Sequence, residues 1–249
     1  MSGWRRARDD AATSTSLTRG SAGEATSADP VFRILTVCTG NLCRSPQAEQ
    51  LLRARIPAAL GIGIGIGAAP LSAAATAPAP DLLAVASAGT MAYDGDPMDD
   101  LAASEAERLG VGDVRAHRTR RIREPHVLGA DLVLGMAREH RAAGMRLVPS
   151  ASRRAFTLIE FAHIVEALAH GDLPEPVPSI EAAGPAAFLR AVVHAAARTK
   201  GRMRLSATSH ELDIEDPYRL DPAVYRRSAE AIDGHVARIA DGLATLARA

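Results

Sequence analysis

Apolar positions along this chain fall into two kinds of pattern. Short apolar runs at Ile34 to Val37, Leu83 to Ser87, Ala130 to Met136 and Ala155 to Leu158 have the length of buried strands. Between them the apolar positions recur at helical spacing. Ala48, Leu51, Leu52 and Ile56 define one stripe; further helices are predicted over Met98 to Leu109, ending near Gly110, over Arg138 to Leu147, and from Leu158 to near Gly171. Phe188 to Ala197 reads as another helix, and Asp221 to Ala247 as a long final one, with Asp221 as N-cap and Pro222 at the first helical position. Strand–helix alternation predicts an α/β fold, a parallel sheet with helices on both faces. A ligand site then belongs beyond the carboxyl ends of the strands, where the loop after the first strand sits.

Several stretches break the pattern. Residues 1–30 are rich in Ser, Thr, Ala and Gly and are expected to form a flexible N-terminal tail, leaving residues 31–249 as the folded domain. Residues 57–80 carry no charge and include the GIGIGIG repeat of Gly61 to Gly67, which reads as a low-complexity insert between the first helix and the second strand. Its Pro57, Pro70, Pro78 and Pro80 and its many small residues argue against a membrane span. Leu173 to Pro178 is proline-rich, and Lys200 to His210 reads as a polar loop. Arg115, Arg118, Arg120, Arg121 and Arg123 crowd one connector, either a docking patch for acidic phosphopeptides or, the preferred reading, a solvated link.

Composition narrows the class. A chain of 249 residues with 47% hydrophobic residues can bury a sizeable core. Basic and acidic residues number 29 each, so global charge points to no nucleic-acid partner. The cysteines are Cys38 and Cys43, too few for a disulfide framework, and a working thiol favours the reducing cytoplasm. The first 30 residues carry Arg5, Arg6 and Arg8 without an apolar segment and make a poor signal peptide.

The densest chemistry lies in residues 31–46, VFRILTVCTGNLCRSP. A strand delivers Cys38; Arg44, Ser45 and Pro46 follow where a helix begins. A thiol is a poor nucleophile until ionised, with an ordinary pKa of about 8.5. Loop amides and a helix N-terminus form a nest that stabilises a thiolate and, beside it, a dianionic phosphate. Thr39, Gly40, Asn41, Leu42 and Cys43 make that loop. Gly40 allows close backbone approach, and Asn41 tolerates a left-handed conformation. Arg44 supplies a planar fork for two phosphate oxygens. Ser45 can hydrogen-bond the thiolate. No metal-ligand spacing is visible, and no cofactor is called for.

VCTGNLCRSP resembles the signature of the low-molecular-weight protein tyrosine phosphatases. ASAGT at Ala86 to Thr90, GDPMDDLA at Gly95 to Ala102, ADLVLGMAREH at Ala130 to His140, RRAFTLIEFA at Arg153 to Ala162 and DIEDPY at Asp213 to Tyr218 resemble later family segments, in order. The resemblance implies a three-layer sandwich with a four-stranded parallel sheet. It implies a two-step hydrolysis of phosphotyrosine proteins or small aryl phosphates, through a phosphocysteine on Cys38. Arg44 and the loop amides would bind the equatorial oxygens, and an aspartate would serve as acid and then as base. Asp-Pro occurs at Asp29, Asp96, Asp216 and Asp221. The late position before an aromatic selects Asp216; Asp96 is expected to order a turn. Tyr218 either lines the mouth and stacks on a substrate ring or covers the last helix.

Three rivals remain. Related arsenate reductases use further cysteines, and none follows Cys43 here, although dependence on an external thiol stays open. Arginine-phosphate relatives carry threonine where this loop has Leu42, and an apolar residue suits an aromatic ring. A phosphate-binding module without turnover is the non-enzyme alternative. Cys43 could bond reversibly with Cys38 and protect it from over-oxidation, or be a small buried side chain.

Overall fold

The structure is a computed structural model of the chain and describes residues 30–62, 82–112, 114–173, 175–200 and 211–249. Four parallel strands, β1 (Phe32–Cys38), β2 (Leu83–Gly89), β3 (Leu132–Gly135) and β4 (Ala155–Thr157), stand in the order β2-β1-β3-β4. The strands are short and buried because helices cover both faces, which is why their sequences read as continuous apolar runs. One face packs Phe32, Ile34, Leu132, Leu134 and Phe156 against α1 (Arg44–Leu60), α5 (Leu158–His170), α7 (Pro185–Thr199) and α8 (Pro222–Arg248). The other packs Leu35, Val37, Val133 and Ala155 against α3 (Glu124–Leu128), α4 (Arg138–Leu147) and the turn around Ala151. α2 (Asp100–Arg108) packs on α8 and joins Cys43, Met98 and Tyr225 in a smaller cluster. The one-turn α6 (Ile180–Ala183) precedes α7.

The strands all run one way, but the order in which they are added reverses at β1, since β2 lies on one side and β3 on the other. That is a switch point, where a crevice opens at the carboxyl ends of the strands. The loop Thr39–Cys43 lies there, between β1 and α1.

Most element boundaries follow local chemistry. The α1 stripe is buried throughout: Ala48, Leu51, Leu52 and Ile56 are each at most 2% exposed. Thr157 and Glu160 form a reciprocal capping box at the start of α5, and Gly171 ends that helix in a left-handed conformation (φ 79°). Asp221 caps α8 by accepting the Ala223 N–H at 2.9 Å.

Other expectations shift. The stretch expected to begin an insert at Pro57 continues α1 through Leu60, and Gly61 (φ 64°) ends the helix. Pro57, without an N–H to offer the Arg53 carbonyl, falls in the last turn, and the helix ends three residues later. Asp99 caps α2, accepting from the N–H groups of Leu101 and Ala102, and Asp96 keeps the turn role expected of it. Asp96 orders the preceding turn through its backbone, which exchanges hydrogen bonds with Thr119. Leu158 is the first residue of α5 rather than the end of β4, and α3 and α6 are absent from the periodicity because each is only about one turn long. The expected tail, most of the insert and the loop at 201–210 lie outside the described residues.

Candidate active site

Cys38 ends β1, and its sulfur faces the loop that follows. The Asn41 N–H reaches Sγ at 3.2 Å and the Ser45 hydroxyl lies 3.0 Å from it. Ser45 Oγ also accepts from Asn41 Nδ2 at 2.9 Å, and its one proton faces both the sulfur and, at 3.4 Å, the Ala88 carbonyl. A backbone N–H and a hydroxyl thus converge on one sulfur.

The bonds to Cys38 require Asn41 to be left-handed, and its φ is 58°. Every polar group of Asn41 is used. Nδ2 donates also to Ser87 Oγ at 2.8 Å; Oδ1 accepts from the Arg120 N–H at 2.9 Å; the carbonyl accepts from His117 Nε2 at 2.8 Å. Since a carbonyl only accepts, Nε2 of His117 carries the proton. Burial pushes the His117 pKa down, which keeps the ring neutral. Ser87 in turn donates to Glu49 Oε2 at 2.6 Å, and Arg53 holds the other oxygen of Glu49. A satisfied polar network of this kind rigidifies the loop it supports.

Backbone contact pins the loop from β2. The Thr90 N–H bonds the Cys38 carbonyl and the Met91 N–H the Thr39 carbonyl, both at 2.9 Å. Gly89 makes this approach possible: a Cβ there would lie 2.6 Å from the Thr39 oxygen and 2.8 Å from the Asn41 nitrogen. Gly40, expected to admit a ligand, is less constrained, since a Cβ would meet the Leu42 side chain at 3.3 Å.

Arg44 is 4% exposed. Nη1 donates to the Ile214 carbonyl at 3.0 Å, and Nη2 contacts Thr39 Oγ1 at 3.4 Å and the Asp216 carboxylate. Its buried Nε has no hydrogen-bond partner among the described residues. The protein thus engages the two Nη atoms and leaves Nε, where the sequence reading had the whole fork turned to a ligand. The segment bearing Asp216 is anchored from three sides. Arg138 clamps Asp213 through its backbone N–H at 2.8 Å and its guanidinium at 2.9 Å, Ile214 N–H bonds the Met136 carbonyl at 2.8 Å, and Ser228 holds the Glu215 carbonyl at 2.9 Å. Asp216 is half exposed, and its Oδ1 accepts the Tyr218 N–H at 3.2 Å. Asp221, the alternative, is occupied as a helix cap.

Tyr218 is 42% exposed, with the Arg219 guanidinium 5.0 Å from its ring centre. Leu42 is partly buried against the Cys43 cluster. Cys43 is 4% exposed, and burial, with Asp99 nearby, pushes its thiol far above the ordinary range, so it stays protonated. Both cysteines are free. The sequence reading named Cys38, Asn41, Arg44, Ser45 and Asp216, which the structure brings together. It missed Glu49, Ser87, His117, Arg120 and His140. Ser87 and His140 lay within segments that carry the resemblance, where nothing singled them out; the others reach the site from α1 and the arginine-rich connector, and no spacing announced them. The five arginines of that connector are exposed, as the solvated-link reading expects, while His117 and the Arg120 N–H turn inward to Asn41.

A parallel sheet with a cysteine and an arginine at the loop on its switch point defines a class of cysteine-centred α/β proteins. Within it, the chain belongs to the family described as "Low molecular weight phosphotyrosine protein phosphatase", whose profile matches residues 33–198. It is 33% identical over 116 residues to the low molecular weight protein-tyrosine-phosphatase Etp of Escherichia coli (strain K12), a match covering 47% of this chain and 62% of that protein. The matched part is thus under two thirds of that relative's length. A protein-arginine-phosphatase of Geobacillus stearothermophilus is 29% identical over 146 residues, covering 58% of this chain and 78% of that one. A solved low molecular weight protein tyrosine phosphatase from T. tengcongensis superposes with a TM-score of 0.53 at 26% identity, covering 84% of this chain and 97% of that chain.

Proposed function

We propose that the protein hydrolyses phosphotyrosine monoesters, in proteins or as small aryl phosphates, through a phosphocysteine intermediate. The observation that carries this reading is the surroundings of one sulfur: Cys38 Sγ receives the Asn41 N–H and lies 3.0 Å from the Ser45 hydroxyl, and the helix that starts after the same loop carries a buried guanidinium whose Nε is unpartnered among the described residues. Family membership supports it.

The Cys38 thiolate attacks phosphorus in line, and the bond to the phenolic oxygen breaks. The amides of the Thr39–Cys43 loop and Arg44 take the charge that shifts onto the equatorial oxygens. Those oxygens compete for Arg44 Nη2, the donor that Asp216 occupies. So released, the half-exposed Asp216 takes up a proton from solvent and gives it to the leaving phenolate. In the second step Asp216 removes a proton from water, which attacks the phosphocysteine and expels the Cys38 thiolate. The Ser45 hydroxyl stabilises that departing sulfur. Tyr218 offers its exposed ring to the substrate, and Leu42 gives the loop an apolar side chain near it.

A second reading, phosphoarginine as substrate, is favoured by the Geobacillus relative. Leu42 speaks for the aromatic substrate, since an apolar side chain pairs better with a ring than with a second guanidinium. The place of action proposed is the cytoplasm, where the thiols stay reduced; no helix among the described residues is long and apolar enough to cross a membrane. The test is a steady-state assay with aryl phosphate, a phosphotyrosine peptide, phosphoarginine and arsenate. Turnover is expected first for the aryl and tyrosyl esters and is expected to vanish in Cys38→Ser. Undiminished turnover in that variant refutes the nucleophile.

A further inference from the structure

His140 stands in α4, outside the loop, and is 1% exposed. Its Nε2 lies 3.0 Å from Thr39 Oγ1 and 3.4 Å from Glu139 Oε1. Its other ring nitrogen, Nδ1, is buried without a hydrogen-bond partner among the described residues. Burial and the neighbouring Arg44 charge lower its pKa to about 4, so near neutrality the ring is uncharged and holds one proton.

The position of that proton decides what Thr39 can do. Arg44 has no acceptor, so Thr39 Oγ1 must accept from Arg44 Nη2. Were the imidazole protonated on Nδ1, Thr39 would spend its only proton on the bare Nε2, and Nδ1–H would be a buried donor without a partner. With the proton on Nε2, the donor faces Thr39 Oγ1 and the Glu139 carboxylate, and the buried Nδ1 is only an unused lone pair. The second arrangement leaves Thr39 accepting twice, with its hydroxyl proton unspent.

Deepening the phosphatase reading, on which it rests, we infer that His140 is a positioning residue: it donates from Nε2 to Thr39, and so frees the Thr39 hydroxyl to donate to the phosphoryl oxygen gripped by Arg44. Thr39 thereby adds a side-chain donor to the loop amides at the place where negative charge gathers. Donors aimed at that charge act on the chemical step more than on binding.

Two measurements on the full-length chain test this. Long-range proton–nitrogen NMR spectra of the protein labelled with ¹⁵N-histidine, near pH 7, are expected to show His140 as the Nε2–H tautomer; an Nδ1–H tautomer or an imidazolium overturns the inference without reference to activity. In kinetics with p-nitrophenyl phosphate, Thr39→Val and His140→Phe are each expected to lower kcat roughly tenfold, with smaller changes in KM. The double variant should be no slower than either single one, because His140 acts through Thr39. His140→Gln, whose amide nitrogen can replace Nε2 as donor, is expected to restore most of kcat. Additive losses, or a folded Gln variant as slow as the Phe variant, overturn the proposal. Wild-type turnover is the separate check on the reading beneath it: if the wild type hydrolyses no phosphate ester, that reading falls, and the inference with it.

Discussion

Asn41 holds a φ of 58° because its short side chain, turned to Ser45, Ser87 and the Arg120 amide, compensates a conformation that most residues avoid. Its N–H is thereby delivered to Cys38. Asp216 shows the complementary arrangement, a half-exposed carboxylate on Arg44 Nη2, kept at the mouth by the bonds of its neighbours rather than by its own burial. Asp216→Ala is expected to lower kcat for an aryl phosphate by at least about tenfold, with Arg44 still held by the Ile214 carbonyl. Asp221→Ala is expected to leave kcat near wild type, since its carboxylate caps α8. If Asp221→Ala proves the slower of the two, the assignment of the acid is wrong.

At the scale of elements, the site depends on how closely β2 approaches the β1–α1 loop. A Cβ at Gly89 would meet backbone atoms of Thr39 and Asn41, which cannot swing away as a flexible side chain would. Gly89→Ala is therefore expected to lower kcat at least about tenfold and to destabilise the fold by about 1–3 kcal/mol; steady-state kinetics and urea titration check the two parts separately. The Asp221 cap has the opposite signature. Its loss is expected to cost about 1 kcal/mol with activity intact, a drop in Tm of about 2–4 °C for a domain of this size.

Over the whole molecule, the buried His140 and the partly buried His235 make stability depend on pH. Burial, with the positive charge of Arg44 at His140 and of Arg238 at His235, lowers both pKa values from 6.5 to about 4. Unfolding frees both rings to take up protons below pH 6.5, whereas the folded protein resists until about pH 4. Stability is then fully present above pH 6.5 and declines as the pH falls towards 4. At about 1.4 kcal/mol per pKa unit, His140 alone accounts for about 3 kcal/mol. Denaturant titrations at pH 7.5, 6, 5 and 4.5 are expected to show this decline, shallower in His140→Gln. An unchanged slope in that variant refutes the contribution of His140.

How far the site could be read in advance differs between its two halves. Cys38, Asn41, Arg44 and Ser45 are neighbours in the chain, and their roles follow from a strand, a tight turn and a helix start, which are local chemistry. Arg138–Leu147 and the Asp221 cap were legible for the same reason: periodicity and capping act over a few residues. Glu49, Ser87, His117, Arg120 and His140 were not, because each matters only through where its element packs.

What the sequence by itself determined is the alternation of strands and helices, and a thiol and guanidinium held on one short loop, because these follow from interactions within about one turn or one strand. Only the tertiary structure decided which donors face the sulfur, which Arg44 nitrogen is left unpartnered among the described residues, which of several Asp-Pro aspartates reaches Arg44, and that His140 touches Thr39. Those contacts span up to 172 positions of chain. They exist because burying apolar faces on both sides of the sheet brings α4, the connector before α3 and the segment before α8 to the carboxyl end of β1, and a non-directional driving force of that kind leaves no short-range mark in the sequence.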